Sequence, residues 1–212
     1  MRVIQILDEN TSDALAAAAA VIRRGGLVAF PTETYYGLGA AYHDVAALKK
    51  LFTLKRRPEK KPVPLIAGSE KTLELVAQQL DNRAVSIVKQ FWPGPLTLLL
   101  PAKAGLPGLL TAGTGNVAVR IPGKSFALEL ARALEFPVTA TSANISGSPP
   151  ADDAVGVTGY FGEGLDLIID GGRTPGGAPS TIVRLSGETV TLVRQGQTPF
   201  DAILAAMKAG GL

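Results

Sequence analysis

A chain of 212 residues, 46% hydrophobic and 18% charged, has ample apolar material to bury and too little like charge to oppose collapse, so it reads as one domain over residues 1–212. The absence of cysteine excludes disulfides, thiolate nucleophiles, iron–sulfur clusters and cysteine-ligated zinc, and a lone histidine, His43, excludes a histidine metal cluster. Of the formal +3, residues 49–61 hold seven cations against Glu59, leaving 14 basic and 17 acidic residues elsewhere; charge so concentrated points to a local anion site.

The N-terminus lacks the basic-then-apolar pattern of a secretory signal. The longest apolar run, residues 14–22, is far below the ~20 residues that span a bilayer, so a cytoplasmic protein without membrane contact is expected. Short apolar runs alternate with amphipathic stretches, which predicts an α/β fold with helices packed on its sheet. Strands are predicted over residues 3–7, 27–30, 63–67, 96–100, 117–121, 138–140, 167–169, 181–185 and 189–194. Helices are predicted over 12–24, 45–54, 70–79, 83–91, 125–134 and 200–209. The first begins at Thr11 or Ser12 and stops at Gly25 and Gly26, and its alanine run is a helix former with a structural role. Residues 103–116 and 171–180 read as glycine-rich binding loops inside the domain.

Polar residues collect at the ends of these strands. After Phe30, the run Pro31-Thr32-Glu33-Thr34-Tyr35-Tyr36-Gly37 presents hydroxyls, a carboxylate and two aromatics where open α/β sheets bind ligands; an ordinary turn serving its own backbone is the alternative. Lys55 and Arg57 fall on one side of an exposed loop held extended by Pro58 and Pro62, which suits a phosphate chain and equally a solvated or RNA-contacting loop. Arg120 closes its strand on the face of Ala118, opposite Val117 and Val119, and requires an anionic partner from the protein or a ligand. Ser142 and Asn144 follow the strand 138–140 and approach Gly147, as a close ligand loop or as the lead into a helix near 152–161. Ser180 and Arg194 repeat the strand-end arrangement.

Other signatures fail. Pro122-Gly123-Lys124-Ser125 ends like a P-loop, but the required earlier glycine falls at Ala118, so it reads as a strand-to-helix turn. Gly37-Leu38-Gly39 lacks the third glycine of a dinucleotide fingerprint. No G-x-S-x-G elbow accompanies His43, which reads as a surface residue near a helix start.

Five motifs in this order resemble the YrdC-type family of threonylcarbamoyl-adenylate synthases over most of the chain: Pro-Thr-Glu-Thr-x-Tyr-Gly-Leu at 31–38, Lys55-x-Arg57, Arg120-x-Pro122, Ser142-x-Asn144 before Ser146-Gly147, and Ser-Thr-Ile-Val at 180–183. The resemblance implies a twisted, open mixed sheet with packed helices around a basic cavity. It implies that L-threonine, bicarbonate and ATP, with Mg2+, give threonylcarbamoyl-adenylate and pyrophosphate, which proteins of tRNA threonylcarbamoyl transfer consume. Thr32 and Arg120 would contact threonine; Lys55, Arg57, Ser142, Asn144 and Arg194 would hold ATP, the first four as catalytic residues. The chain resembles the short, single-domain form. Asn116 stands where the family commonly has threonine, and Pro150 where it often has serine.

Two alternatives accompany this reading. The basic segment could make an RNA-binding module, although aromatics are only 6% of the chain and tRNA binding is expected to be weak at most. A carbamoyl-transfer accessory domain of the same fold is the other; the cysteine-rich zinc segments of such proteins are missing.

Overall fold

The computed structural model describes residues 1–187 and 189–209. Its strands are β1 (Arg2–Gln5), β2 (Val28–Pro31), β3 (Tyr36–Gly39), β4 (Leu65–Ile66), β5 (Leu96–Pro101), β6 (Asn116–Arg120), β7 (Val138–Thr139), β8 (Thr141–Ser142), β9 (Leu167–Asp170), β10 (Thr181–Ser186) and β11 (Thr189–Arg194). Its helices are α1 (Thr11–Arg23), α2 (Val45–Lys55), α3 (Glu70–Leu73), α4 (Asn82–Phe91), α5 (Gly108–Thr111), α6 (Phe126–Leu134), α7 (Ala154–Phe161) and α8 (Phe200–Ala209). The α/β class and the mixed pairing are as expected. Among the described residues the strands are divided between two sheets, one ordered β1-β9-β2-β3-β8 and the other β11-β10-β5-β6-β4-β7.

Side-chain alternation gives each sheet its two faces. On β2, Val28 and Phe30 pack with Ala14, Ala18, Ala19 and Ile22 of α1 and with Leu130 and Ala131 of α6, while Ala29 turns to the main core. The small side chains of α1 let the two helices lie close on the first sheet. On the second sheet Leu96, Leu98 and Leu100 of β5 enter the main core beside Val117 and Val119 of β6. Burial of each such leucine contributes about 1.5–3 kcal/mol. The intervening Thr97, Leu99, Ala118 and Arg120 face a cavity instead. Arg120 therefore shares the face of Ala118, as alternation predicts.

Several elements depart from the sequence expectation, among them β8 and the short α5 inside the predicted loop 103–116, and two of the departures have a clear cause. The segment after Pro31 is no turn into a helix: residues 32–35 close a hairpin, and β3 returns antiparallel to β2 with all four residues buried. Glycines hide this strand from propensity rules. Phe30 lies over them, and a Cβ on Gly39 would stand 2.6 Å from its Cε1 atom, so the ring fills the space that side chains would need. The helix predicted to reach residue 79 stops at Leu73, because backbone groups beyond it pair elsewhere: Gln78 N donates to Pro101 O at 2.9 Å and Lys103 N to Val76 O at 2.9 Å. The starts of α2, α4, α6 and α7 are capped by Asp44, Asp81, Ser125 and Asp153, whose side chains accept backbone N–H groups. Helix α1 departs from the expected Thr11 or Ser12 cap, since both lie inside the helix and its N-cap is Asn10, whose side chain makes no capping bond.

One hydroxyl joins the sheets. Thr139 of β7, fully buried, donates from Oγ1 to Leu38 O at 3.0 Å and accepts from Ala40 N at 2.8 Å, while its own N–H bonds Ala40 O at 3.0 Å. Thr139→Val keeps the shape and removes both hydroxyl bonds, stranding two buried backbone groups; a loss of about 1–3 kcal/mol is expected, read as a lowered urea midpoint at unchanged slope.

Candidate functional site

The polar face of the second sheet and the β2–β3 hairpin enclose a cavity of about 580 Å³, within the range of small-molecule sites. Among the residues lining it are Thr32, Arg57, Arg120, Ser142, Ser180 and Arg194, so most of the strand-end motifs converge there. They come from both sheets, which explains their separation along the chain.

The hairpin tip is locally bonded. Thr32 Oγ1 donates to Tyr35 O at 2.7 Å and accepts from Thr34 N at 3.1 Å. Below it the Tyr36 hydroxyl donates to Gly172 O at 2.8 Å and accepts from Gly171 N at 3.1 Å. Burial pushes the pKa of this phenol up to about 12, so it stays a protonated anchor for the glycine-rich loop at 171–180. That loop also donates from Gly176 N to Thr34 O at 2.8 Å, and it brings Gly177, Pro179 and Ser180 to the cavity wall.

The basic segment divides in two. Lys49, Lys50, Arg56, Lys60 and Lys61 are exposed. Arg57 is half-buried and lines the cavity, donating from Nε to Lys61 O at 3.0 Å and from Nη2 to Pro62 O at 2.7 Å. Lys55 corrects the expectation of an exposed loop: it is the last residue of α2, and Arg56 takes the left-handed conformation after it (φ 50°). The chain reverses there, so Lys55 and Arg57 do not share one side of an extended strand. Only 1% of Lys55 is exposed, and its Nζ donates to the carbonyls of Ser142 and of Asn144, the latter at 2.7 Å. Asn144, also buried, accepts from Ser142 Oγ at 2.6 Å and donates to Ile145 O and Ser148 O at 2.9 and 2.6 Å. Lys55 and Asn144 thus stand behind the wall and hold Ser142 in it.

Electrostatics set what the cavity can accept. Arg57, Arg120 and Arg194 line it, whereas the carboxylate bonded to one of them is Glu33, whose Oε1 accepts from Arg120 Nη1. Arg194 donates to Ser180 O from both Nε and Nη2, at 3.2 and 2.7 Å, and Ser180 Oγ lies 2.9 Å from Thr97 Oγ1. Desolvation and the like charge of Arg120 both depress the Arg194 pKa. Guanidiniums close enough to repel favour an anion that can answer both.

Sequence reasoning missed three contributors. Glu33 lay inside a quoted motif, yet nothing in the spacing shows that it pairs with a residue 87 positions away. Thr97 could have been found as the one hydroxyl in an otherwise apolar strand. Tyr36 is an anchor under the site. Pro150 lines the cavity and Asn116 does not; its Nδ2 donates to Thr114 O at 3.0 Å. His43 is exposed beside Tyr42 and Phe136, as expected of a surface histidine. Among the described residues no helix is long and apolar enough to cross a membrane.

Fold and site together define an α/β protein with an arginine-lined cavity between two mixed sheets. The family profile Sua5_yciO_yrdC, described as telomere recombination, matches residues 20–196. The threonylcarbamoyl-AMP synthase of Pyrococcus abyssi is 44% identical over 186 residues, 88% of this chain and 55% of that protein. The enzyme of the same name from Bacillus subtilis is 38% identical over 207 residues, 96% of this chain and 60% of that protein. The crystal structure of P. abyssi Sua5 complexed with L-threonine superposes with a TM-score of 0.88 at 40% identity, covering 97% of this chain and 60% of that one. The chain belongs to the Sua5/YciO/YrdC family and has its YrdC-like fold. It spans little more than half the length of these relatives.

Lys55 supplies a test of the buried wall. Burial, with the like charge of Arg57, pushes its pKa down to about 7. Lys55→Met strands two carbonyls and should cost about 1–3 kcal/mol. Between pH 7 and the ordinary lysine value of 10.5 the unfolded wild-type chain holds a proton that the folded chain has released, so wild-type stability from this group rises with pH. The advantage of wild type over Lys55→Met is therefore expected to be larger at pH 9 than at pH 7 in denaturant unfolding.

Proposed function

We propose that the chain makes L-threonylcarbamoyl-adenylate from L-threonine, bicarbonate and ATP, releasing pyrophosphate. The observation that carries this reading is the convergence of Arg57, Arg120, Ser142 and Arg194 on one cavity. Kinship to proteins named threonylcarbamoyl-AMP synthase supports the choice of reaction. The reaction brings two anions together, a carboxylate-type nucleophile and a triphosphate, so its first requirement is neutralisation and orientation of negative charge.

In this reading Arg120 receives the threonine carboxylate beside Thr32. The amine and bicarbonate give a carbamate and water; a carbamate oxygen then attacks the α-phosphorus, and pyrophosphate leaves. Arg57 and Arg194 hold the phosphates, with Ser142 as a hydroxyl donor. Lys55 and Asn144 serve catalysis by keeping Ser142 and its loop in place. Mg2+ would enter with the triphosphate. Among the described residues no three His, Cys, Asp or Glu side chains gather to hold a metal, so phosphate oxygens and water would supply most of its ligands. The product would pass in the cytoplasm to proteins that transfer threonylcarbamoyl to tRNA, with tRNA itself bound weakly at most.

Coupled pyrophosphate detection tests the proposal. Pyrophosphate, not orthophosphate, is expected, and omission of threonine or bicarbonate should stop its release. Arg57→Ala should slow the reaction on the order of 10²-fold, whereas Lys61→Ala, an exposed charge outside the cavity, should change it little. Arg120→Ala should raise the threonine KM more than the ATP KM. Orthophosphate release, or pyrophosphate release indifferent to threonine, rules the assignment out.

A further inference from the structure

The cavity poses a selectivity problem. Its three lining arginines attract any anion, and none of the residues lining it is acidic. An α-amino acid carries an ammonium as well as a carboxylate, and the ammonium is repelled by the same guanidiniums that attract its other end. A plain carboxylate of the same size suffers no such penalty. Left to its arginines, the cavity would prefer the wrong ligand.

Glu33 changes that balance. It sits between the lining residues Thr32 and Thr34 at the hairpin tip, with 18% of its side chain exposed against 12% for Arg120. Among the described residues, Arg120 is engaged through Nη1 alone, which leaves the edge carrying Nε and Nη2 for a carboxylate fork. Glu33 is likewise engaged through one atom: Oε1 takes the guanidinium, and Oε2 is shielded from solvent without a hydrogen-bond donor. A carboxylate oxygen in that condition is unsatisfied, and an N–H from a ligand would satisfy it. The terminal torsion of glutamate is soft and roughly two-fold, so the two oxygens can reorient without moving the backbone.

We propose that Glu33 is a specificity-determining residue that makes the Arg120 end of the cavity select an α-amino acid over the corresponding carboxylate lacking the amine. Arg120 takes the carboxylate and Glu33 the ammonium, as two poles matched to a zwitterion. The assignment rests on the reading of threonine as substrate, and it deepens that reading by giving the amine its own receptor.

The test compares L-threonine with 3-hydroxybutyrate, which is threonine without its amino group, by calorimetric binding to wild type, Glu33→Gln and Glu33→Asp. Melting curves first establish that each variant is folded. Wild type should prefer threonine. Glu33→Gln should weaken threonine by about tenfold or more, the scale of one charge-assisted contact, while 3-hydroxybutyrate binds as well or better, so that the preference collapses or inverts. Glu33→Asp should keep the order of preference. ATP affinity should change less than threonine affinity in both variants, since Glu33 is paired to Arg120 and not to Arg57 or Arg194. Equal weakening of both small ligands, or tighter threonine binding on removal of the charge, overturns the proposal. If wild type binds the two ligands equally, it also fails. The substrate reading fails separately, when wild-type pyrophosphate release ignores threonine although the binding preference is present.

Discussion

A buried amine must place its N–H groups on oxygen, and the arrangement that satisfies Lys55 organises the site. Its Nζ reaches from the end of α2 to the carbonyls of Ser142 and Asn144, while Ser146 N donates back to the Lys55 carbonyl at 2.9 Å. Helix α2 and the loop after β8 are thereby clamped by both the side chain and the backbone of one residue. Asn144 continues the chain of bonds to Ile145 and Ser148. A shift in any of these would move Ser142, which is also held by its short strand pairing with Gly37. The cavity wall is thus held by atoms that never face the cavity.

On the open side, charge is left deliberately unbalanced by the fold. Arg57 and Arg194 spend donors on carbonyls of neighbouring loops. Those bonds orient the guanidiniums without neutralising them, because a carbonyl is a dipole and not an ion. Among the described residues, Arg120 alone of the three has a carboxylate partner. Glu33 therefore offsets part of the charge of Arg120, whereas Arg57 and Arg194 keep theirs.

Legibility in the sequence followed the reach of the interactions. Strand β11 and helix α8 were read to the residue because alternation and amphipathic spacing are local, and Arg120 was placed on the correct face for the same reason. The hairpin partner β3 was missed because Gly37 and Gly39 carry no side-chain pattern; their conformation depends on the Phe30 ring across the strand pair. The depth of Lys55 was missed because a lysine among lysines reads as solvated. What buries it is a left-handed residue after the helix and two carbonyls nearly ninety positions on. The Arg120–Glu33 pair belongs to the same kind: the need for a partner was legible, but its identity required the two sheets to be brought together. The motif residues as a set were readable through family resemblance before geometry could say which of them share one space.

The division of the basic segment has a kinetic side. Arg57 is inside, where screening is weak, and Arg56, Lys60 and Lys61 remain exposed next to it in sequence. Exposed charges contribute little binding energy at physiological salt, since their field decays over a Debye length of about 8 Å. In the proposed reaction they would, within that distance, raise the local concentration of an approaching triphosphate and speed its entry, an effect that salt abolishes. The inner cation would act after capture, where desolvation has lowered its pKa and a phosphate would restore the lost stabilisation of its charge. One short run of lysine and arginine thus serves two ranges of the same attraction, because a helix end and a left-handed turn point alternate members of the run in opposite directions.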